Sequence, residues 1–199
     1  MQVQTCARAE REAVVDTLVS AFRGYPVMRF VLGERADDAS DAHLRALVGY
    51  YVDRRFLEGW PVLALRGPES MRAAILVSEP GPWDEAIARR ELAALRALIG
   101  NAAFERMQRF EAASDANEPA SHHLFVGMVG VRPEWQGRGY GLALLDHVRE
   151  LARAGGYDGV CLSTEDPDNL AFYARAGFAV VSEARVDTLT TWCLYRDAR

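Results

Sequence analysis

The stretch HLFVGMVGVRPEWQGRGYGLALL, residues 123–145, decides how this chain folds. Its first nine residues are nearly all apolar, which is typical of a strand buried on both faces of a sheet. Three glycines, Gly137, Gly139 and Gly141, then stand directly before an apolar segment of helical composition. Glycine is costly in regular structure because it loses the most backbone freedom on folding. The pattern therefore indicates a strand–turn–helix unit in which the backbone of the turn has a role of its own.

That turn places the beginning of a helix beside the end of a strand. The first N–H groups of a helix lack partners and carry the positive end of its dipole, a geometry that binds phosphate. Glycines remove the Cβ atoms that would keep an anion away and allow successive amides to point inward. Residues 136–141 therefore predict a pyrophosphate site, with Arg138 and Arg132 adding charge. A tight strand–helix turn without a ligand is the alternative.

Composition restricts the class of function. The 199 residues carry a formal net charge of −5 and no lysine, which argues against nucleic acid as a partner and excludes a P-loop. The glycine spacing is not G-x-G-x-x-G, and no acidic residue follows about 20 positions later, so a nucleotide-binding oxidoreductase is remote. No apolar run approaches the roughly 20 residues of a membrane helix, and the N-terminus lacks a secretory signal. The three cysteines lack the spacing of a metal or redox site. Together these features predict a cytoplasmic protein with no metal and no membrane partner.

Hydrophobic periodicity predicts an α/β protein. Helices are predicted over 9–22, after Pro26, and from a cap at Ser40 to Gly59. A hairpin of strands 61–66 and 71–78 follows, and then 83–117 returns to the helical period with a break at Gly100. Beyond the glycine turn, we predict strands over 159–164, 178–184 and 188–195 and a short helix over 169–177.

Two motifs resemble the GNAT superfamily of N-acetyltransferases. Gln136-x-x-Gly139-x-Gly141, after a strand that ends MVGV-RP, is similar to the acetyl-CoA loop of that family, and NLAFYARAGF, residues 169–178, is similar to its N-x-x-x-(F/Y)-Y-x-x-x-G-F signature. The stretch 123–141 and the ending 192–196 resemble the branch that contains puromycin N-acetyltransferase. The resemblance covers residues 122–196, is weak before residue 60 and does not include 83–117.

The resemblance implies a GNAT-like fold, in which helices flank a mixed central β-sheet and an extra helical segment lies between the third and fourth strands. It implies a single domain over residues 1–199, with 83–117 as a helical insertion and 122–196 as the cofactor-binding and catalytic core. Acetyl-CoA would be the cosubstrate. The residues implied to contact it are Val129, Gly130, Val131, Gln136, Gly137, Arg138, Gly139, Tyr140, Gly141, Leu142 and Asn169. Gly127 and Gly130 fit a strand that bulges or admits a close backbone approach. For Asn169, a plain helix cap is the alternative.

The implied reaction is acyl transfer from a thioester to an amine by direct attack. A strand amide near Val129 would stabilise the oxyanion that develops at the carbonyl. Tyr173 matches the general acid of the family, since a phenol with a pKa near 10 is protonated at neutral pH. Aromatic packing beside Phe172 and Phe178 is the alternative for Tyr173.

The general base is less defined by the sequence. We select Glu79, which ends the strand over 71–78, as the base. His123 and Glu165, which also stand at strand ends, and a chain of water molecules remain alternatives.

The parts least similar to the family are expected to bind the acceptor. These are Phe22, Tyr25, Phe30, Tyr50, Tyr51, the segment 83–117 and the loop Arg185–Thr188. A primary amine of a small molecule is the expected acceptor. A protein or peptide N-acetyltransferase and a non-catalytic acyl-CoA-binding or sensing module are the alternatives, and a homodimer is left open.

Overall fold

The computed structural model of the chain describes residues 1–33, 41–68, 70–81 and 85–199. The described residues form seven strands and seven α-helices. In chain order these are β1 (Val3–Thr5), α1 (Arg11–Phe22), α2 (Pro26–Leu32), α3 (Ala42–Glu58), β2 (Val62–Arg66), β3 (Met71–Ser78), α4 (Glu85–Ile99), α5 (Asn101–Ala116), β4 (His123–Val131), α6 (Tyr140–Gly155), β5 (Gly159–Thr164), α7 (Asp168–Arg175), β6 (Ala179–Val186) and β7 (Leu189–Asp197). The predicted helices and strands are confirmed to within a few residues. The three-residue strand β1 is not predicted, and the cap predicted at Ser40 lies outside the described residues.

All seven strands belong to one sheet, in the order β1-β2-β3-β4-β5-β7-β6. Neighbouring strands run antiparallel except β4 and β5, which are parallel and are connected through α6. The sheet is therefore mixed, as predicted. Helices α4 and α5 lie between β3 and β4 in the chain, which confirms the extra helical segment.

Helices cover both faces of the sheet. Helices α1 to α5 pack on one face, where residues such as Leu18, Leu47 and Met107 form a buried cluster with Leu76 and Met128 of the strands. Helices α6 and α7 pack on the other face around Leu144, Leu145 and Val148. The near-continuous apolar sequence of β4 follows from this arrangement, because both of its faces are covered.

Strand β4 contains an irregularity in the middle of the sheet. Its register with β3 shifts between Leu76 and Val77, so that Met128 and Val126 are paired and Gly127 has no partner residue. This is the bulge expected at Gly127. Gly130 serves a different purpose, because a Cβ there would lie 2.8 Å from Cβ of Ala21 in α1. The glycine lets the helix approach the strand closely.

The three cysteines lie inside the fold. Cys6, Cys161 and Cys193 are buried free thiols, and Sγ of Cys161 lies 3.3 Å from Sγ of Cys193. Among the described residues, none of the helices has the length and apolar character needed to cross a bilayer.

Candidate active site

The sheet is open between its two parallel strands. Residues 123–126 of β4 pair with residues 159–162 of β5, and the pairing stops there. On its other side, β4 continues to pair with β3 as far as Val131. Within the described part of the chain, residues 127–131 thus have no strand partner on the β5 side. An extended ligand could form main-chain hydrogen bonds with this edge in the manner of an added strand.

The glycine turn stands at the end of this opening. Gly137 and Gly139 have φ of +72° and +82°, in the left-handed region that only glycine enters at little cost. The first backbone hydrogen bond of α6 runs from the amide of Ala143 to the carbonyl oxygen of Gly139, at 3.0 Å. Across the described residues, the amides of 137–142 donate to no main-chain acceptor. This is a set of donors suited to a phosphate.

The side chains around the turn hold it in place. A Cβ on Gly141 would lie 3.0 Å from Phe172, so that glycine allows α6 and α7 to pack closely. The guanidinium of Arg138 lies 4.7 Å from the centre of the Trp135 ring and is exposed. Arg132 instead donates to the carbonyl oxygen of Met71, at 2.9 Å. Arg138 is therefore free to face a phosphate, whereas Arg132 fastens the turn to β3.

The opening in the sheet leads into one large cavity of about 1130 Å³. One side is formed by the turn, by the unpaired part of β4, by the carboxyl end of β5 and by α7. Helices α1, α3 and α5 supply the opposite side. All eleven predicted cofactor-binding residues except Arg138 border the cavity.

A hydrogen-bonded cluster lies at the carboxyl end of β5. The hydroxyl of Tyr25 is 2.8 Å from the hydroxyl of Thr164, and it accepts a hydrogen bond from the amide of Glu165 at 3.3 Å. The carboxylate of Glu165 in turn accepts a hydrogen bond of 2.8 Å from Thr191. Burial raises the pKa of Glu165 to about 7, although the hydrogen bond from Thr191 favours the ionised form. A carboxyl group with this pKa can gain and lose a proton near neutral pH.

Tyr173 borders the same part of the cavity. Its side chain is 7% exposed and packs edge-on against Phe172 and Phe178. Burial raises its pKa, and the nearby Tyr25 and Glu165 raise it further. The phenol therefore keeps its proton throughout the neutral range. The structure thus brings together a carboxyl group that can accept a proton and a phenol that holds one.

Asn169 also contacts this cluster. Its Nδ2 donates to the hydroxyl of Thr164 at 3.4 Å. Because α7 begins at Asp168, Asn169 is a residue of the first turn and not the helix cap.

The other candidates for the base lie toward the opposite end of the cavity. Glu79 borders the cavity but is exposed, and its carboxylate hydrogen-bonds with Tyr157, whose pKa is raised by burial and by Glu79. His123 is buried, with Nδ1 2.8 Å from the carbonyl oxygen of Ser121 and Nε2 3.3 Å from Glu118. Burial would lower the pKa of His123, but these hydrogen bonds raise it. Glu79 and His123 are not part of the cluster that contains Tyr173.

The predicted acceptor-binding residues fall into two groups. Phe22, Tyr25, Tyr50 and Tyr51 border the cavity, and so do residues of the predicted insertion such as Leu92, Phe110 and Glu111. Phe30 packs against the apolar core, and the loop 185–188 does not reach the cavity.

Several polar residues of the cavity have no counterpart in the sequence prediction. Arg54, Arg55 and Trp60 come from α3 and its end and line the cavity. Thr164 and Thr191 do not line it, but they hydrogen-bond with Tyr25 and Glu165, which do. Two adjacent arginines in a helix whose other face is apolar resemble an ordinary solvated surface. In the fold both are buried beside Trp60, and Arg55 also lies against Ser78 of β3 and Gly127 of β4. Within the described ranges, His, Cys, Asp and Glu side chains form no group of three or more placed to hold a metal ion.

Comparisons with known proteins agree with this geometry. Residues 80–178, about half of the chain, match the model of the acetyltransferase (GNAT) family. A solved structure from Corynebacterium glutamicum, described as histone acetyltransferase HPA2 and related acetyltransferase, is similar over 98% of this chain and 95% of its own, with 22% identity and a TM-score of 0.72.

Two insect proteins have a similar fold. Drosophila melanogaster polyamine N-acetyltransferase covers 98% of this chain and 99% of its own, with 12% identity and a TM-score of 0.71. Aedes aegypti arylalkylamine N-acetyltransferase 2 is similar over 100% of this chain and 99% of its own, with 11% identity and a TM-score of 0.68. At these identities the likeness establishes the shared fold.

Proposed function

This chain belongs to the GNAT acetyltransferase family, and we propose that it transfers the acetyl group of acetyl-CoA to a primary amine of a small molecule. The observation that carries the proposal is the opening between β4 and β5. It connects the unbonded amides of the glycine turn to the cavity that contains Glu165 and Tyr173. The whole chain would act as one domain, because strands from its two ends belong to the same sheet.

The residues present fit acetyl-CoA, the cosubstrate that GNAT enzymes use. The amides of 137–142 would hold the diphosphate, helped by Arg138. The free edge of Val129 to Val131 would pair with the pantetheine arm, and Gln136, Tyr140 and Asn169 would border it. Acetyl-CoA supplies the activated thioester, and every other part of the reaction falls to groups of the chain.

Proton transfers are assigned to two of these groups. Glu165 would accept a proton from the bound ammonium, so that the amine nitrogen can attack the carbonyl carbon. A strand amide near Val129 would donate a hydrogen bond to the carbonyl oxygen as negative charge develops there. Tyr173 would give its proton to the sulfur as the carbon–sulfur bond breaks, and the second proton of the acylated nitrogen would restore the phenol, so that a neutral amide and free CoA thiol are formed. Glu79, the base selected from the sequence, remains a testable alternative.

The expected acceptors are small primary amines. The fold is shared with enzymes named for polyamine and arylalkylamine substrates, which supports small amines as the first class to test. The finer resemblance to the puromycin N-acetyltransferase branch remains a prediction that rests on residues 123–141 and 192–196. Three further expectations also remain predictions: a cytoplasmic location, the absence of nucleic-acid and membrane partners, and a homodimer.

Release of free thiol from acetyl-CoA in the presence of a panel of primary amines tests the proposal. We expect thiol release that depends on both enzyme and amine, with the acetylated amine identified by mass spectrometry. A parallel panel of peptides with free N-termini or lysines separates the peptide-acetylating alternative. Tight binding of acetyl-CoA without turnover of any acceptor would favour a sensing module and contradict the proposal.

A further inference from the structure

Helix α3 places a buried cationic surface on the wall of the cavity. Arg54 and Arg55 stand side by side there, next to Tyr51 and Trp60. The guanidinium carbon of Arg55 is 5.9 Å from the centres of both the Tyr51 and the Trp60 rings, and that of Arg54 is also 5.9 Å from Trp60. Aromatic faces thus surround the two cations.

Arg55 has no carboxylate partner among the described residues. One terminal nitrogen donates to the carbonyl oxygen of Tyr51 at 3.3 Å, and the other to the hydroxyl of Ser78 at 2.9 Å. Its Nε has no acceptor. A guanidinium carries five N–H donors, so most of the hydrogen-bonding capacity of Arg55 is unused.

The burial of Arg55 makes this arrangement costly. Its side chain is only 5% exposed, and burial together with the neighbouring Arg54 lowers its pKa to about 10. A buried charge is normally paired with an opposite charge, because desolvation is otherwise not compensated. Aromatic faces contribute about 0.5–2 kcal/mol, which is less than a buried ion needs. A ligand anion in the cavity would supply the missing partner.

The bulge in β4 positions Arg55 at the inner end of the opening. A Cβ on Gly127 would lie 2.2 Å from Nη2 of Arg55, so only glycine leaves room for the guanidinium. Gly127 follows directly after the last β4–β5 pair, Val126 and Leu162. From the strand rise of about 3.3 Å per residue and strand spacing of about 4.8 Å, the guanidinium and Glu165 lie on the order of 8–10 Å apart.

The diphosphate of acetyl-CoA is not the missing anion. The glycine turn begins at the far end of β4, and the four residues from Gly127 to Val131 alone span about 13 Å. The pantetheine arm that would occupy this distance carries no charge. A carboxylate on the acceptor would fill this role.

Acidic side chains lie on the same side of the cavity as Arg55. Glu111, Asp115 and Glu118 of α5 and its end border the same space. Glu111 is already engaged, because it accepts a hydrogen bond from the hydroxyl of Tyr51 at 3.0 Å. Glu111 also interacts electrostatically with Arg55 but forms no ion pair with it among the described residues. The cavity therefore offers acidic groups for an amine and, in Arg55, a buried cation that has no direct anionic partner.

We propose that the acceptor is an amino acid-like molecule whose carboxylate binds Arg55 while its amine faces Glu165. This inference rests on the proposed function and names the substrate class of the same site. Guanidinium and carboxylate form bidentate hydrogen bonds, which fix the orientation of the acceptor as well as its affinity. Arg55 is then a specificity-determining residue and takes no part in the proton transfers.

Matched acceptors test the inference on the full-length protein. The first set compares 4-aminobutyrate with propylamine, which lacks the carboxylate. The second compares phenylalanine with phenethylamine and phenylalanine methyl ester, which also lack it. Each amine is assayed with saturating acetyl-CoA. Charge-assisted hydrogen bonds predict that kcat/KM favours the carboxylate of each set by about 10- to 150-fold. In Arg55→Met this preference should fall to near one, while KM for acetyl-CoA is unchanged. Arg45→Met removes an exposed arginine of the same helix and should keep the preference.

The outcomes separate the inference from the function on which it rests. If the wild-type enzyme acetylates the uncharged amines with the same kcat/KM as the carboxylates, the inference is overturned and the acetyltransferase function stands. If no amine of either kind releases thiol, both are overturned. Should Arg55→Met fail to fold, the wild-type preference still decides, and Arg55→Lys should keep only part of it because the bidentate geometry is lost. A rise in KM for acetyl-CoA in Arg55→Lys with no change in preference would assign Arg55 to the thioester instead.

Discussion

The glycine turn gives the sharpest test of cosubstrate binding, through the change Gly137→Ala. Gly137 has φ of +72°, and a Cβ there would meet nothing within 4 Å. Gly156, at the other end of α6, is its matched control, with φ of +75° and equally open surroundings. A non-glycine residue in this region costs about 1–2 kcal/mol. In a chain of this size both variants should therefore melt about 2–8 °C below the wild type.

Only the change at Gly137 should weaken cosubstrate binding. Its Cβ would extend into the open space beside the turn, which we assign to the diphosphate. Losing one hydrogen bond to a charged phosphate costs about 1.5–3 kcal/mol, which raises Kd by about 10- to 150-fold. Isothermal titration with CoA measures this directly, and thermal melting of the same samples measures the strain. Equal affinity for CoA in the two variants, whether both tight or both weak, would refute the assignment of the turn to the diphosphate.

Three further changes address the reacting groups. Tyr173→Phe should lower kcat by about 10²- to 10⁴-fold and leave KM for acetyl-CoA unchanged. The control Tyr195→Phe should keep full activity. Equal losses in kcat and in affinity for acetyl-CoA would indicate that Tyr173 serves packing alone. Glu165→Gln should lower kcat and abolish the rise of activity through pH 7. Because the folded-state pKa of Glu165, about 7, exceeds the ordinary glutamate value of 4.5, ionisation destabilises the fold above pH 4.5. The variant should thus be about 3 kcal/mol more stable than the wild type at pH 8 and no more stable at pH 4, by denaturant titration; a constant difference would contradict the assignment. Glu79→Gln should keep kcat within about twofold, as exposed substitutions do, and a loss as large as that of Glu165→Gln would make Glu79 the base.

Much of this fold could be predicted from local pattern alone. Three signals in a row predict the same strand–turn–helix unit: the apolar run 123–131, the glycines after it and the amphipathic segment that follows. The structure confirms each. Strand β1 has only three residues, too few for an alternation to be recognised. It exists because residues 3–5 pair with residues 63–65 of β2, which is a long-range contact.

The polar residues of the cavity are harder to predict because their chemistry depends on burial. Glu165 and Glu79 are both acidic residues at the ends of strands, and the sequence does not distinguish them. In the fold, Glu165 is enclosed by Tyr25 and Thr191, whereas Glu79 is exposed. In the sequence Arg55 is similar to any helix-surface arginine, and only its neighbours in the fold, Trp60 and Ser78 among them, make it buried. Gly127 carries a local signal for the bulge, but the guanidinium that needs its space comes from a distant helix.

Among the residues that the structure describes, four pairs join β1–β4 to the remaining strands β5–β7. The two parts of the sheet can therefore spread apart at their open end without breaking a single interstrand hydrogen bond. A bound pantetheine arm would resist that movement, so the amide protons of 127–131 should exchange with solvent more slowly when CoA is present. The same molecule that brings the acetyl group would then also stiffen the middle of the protein.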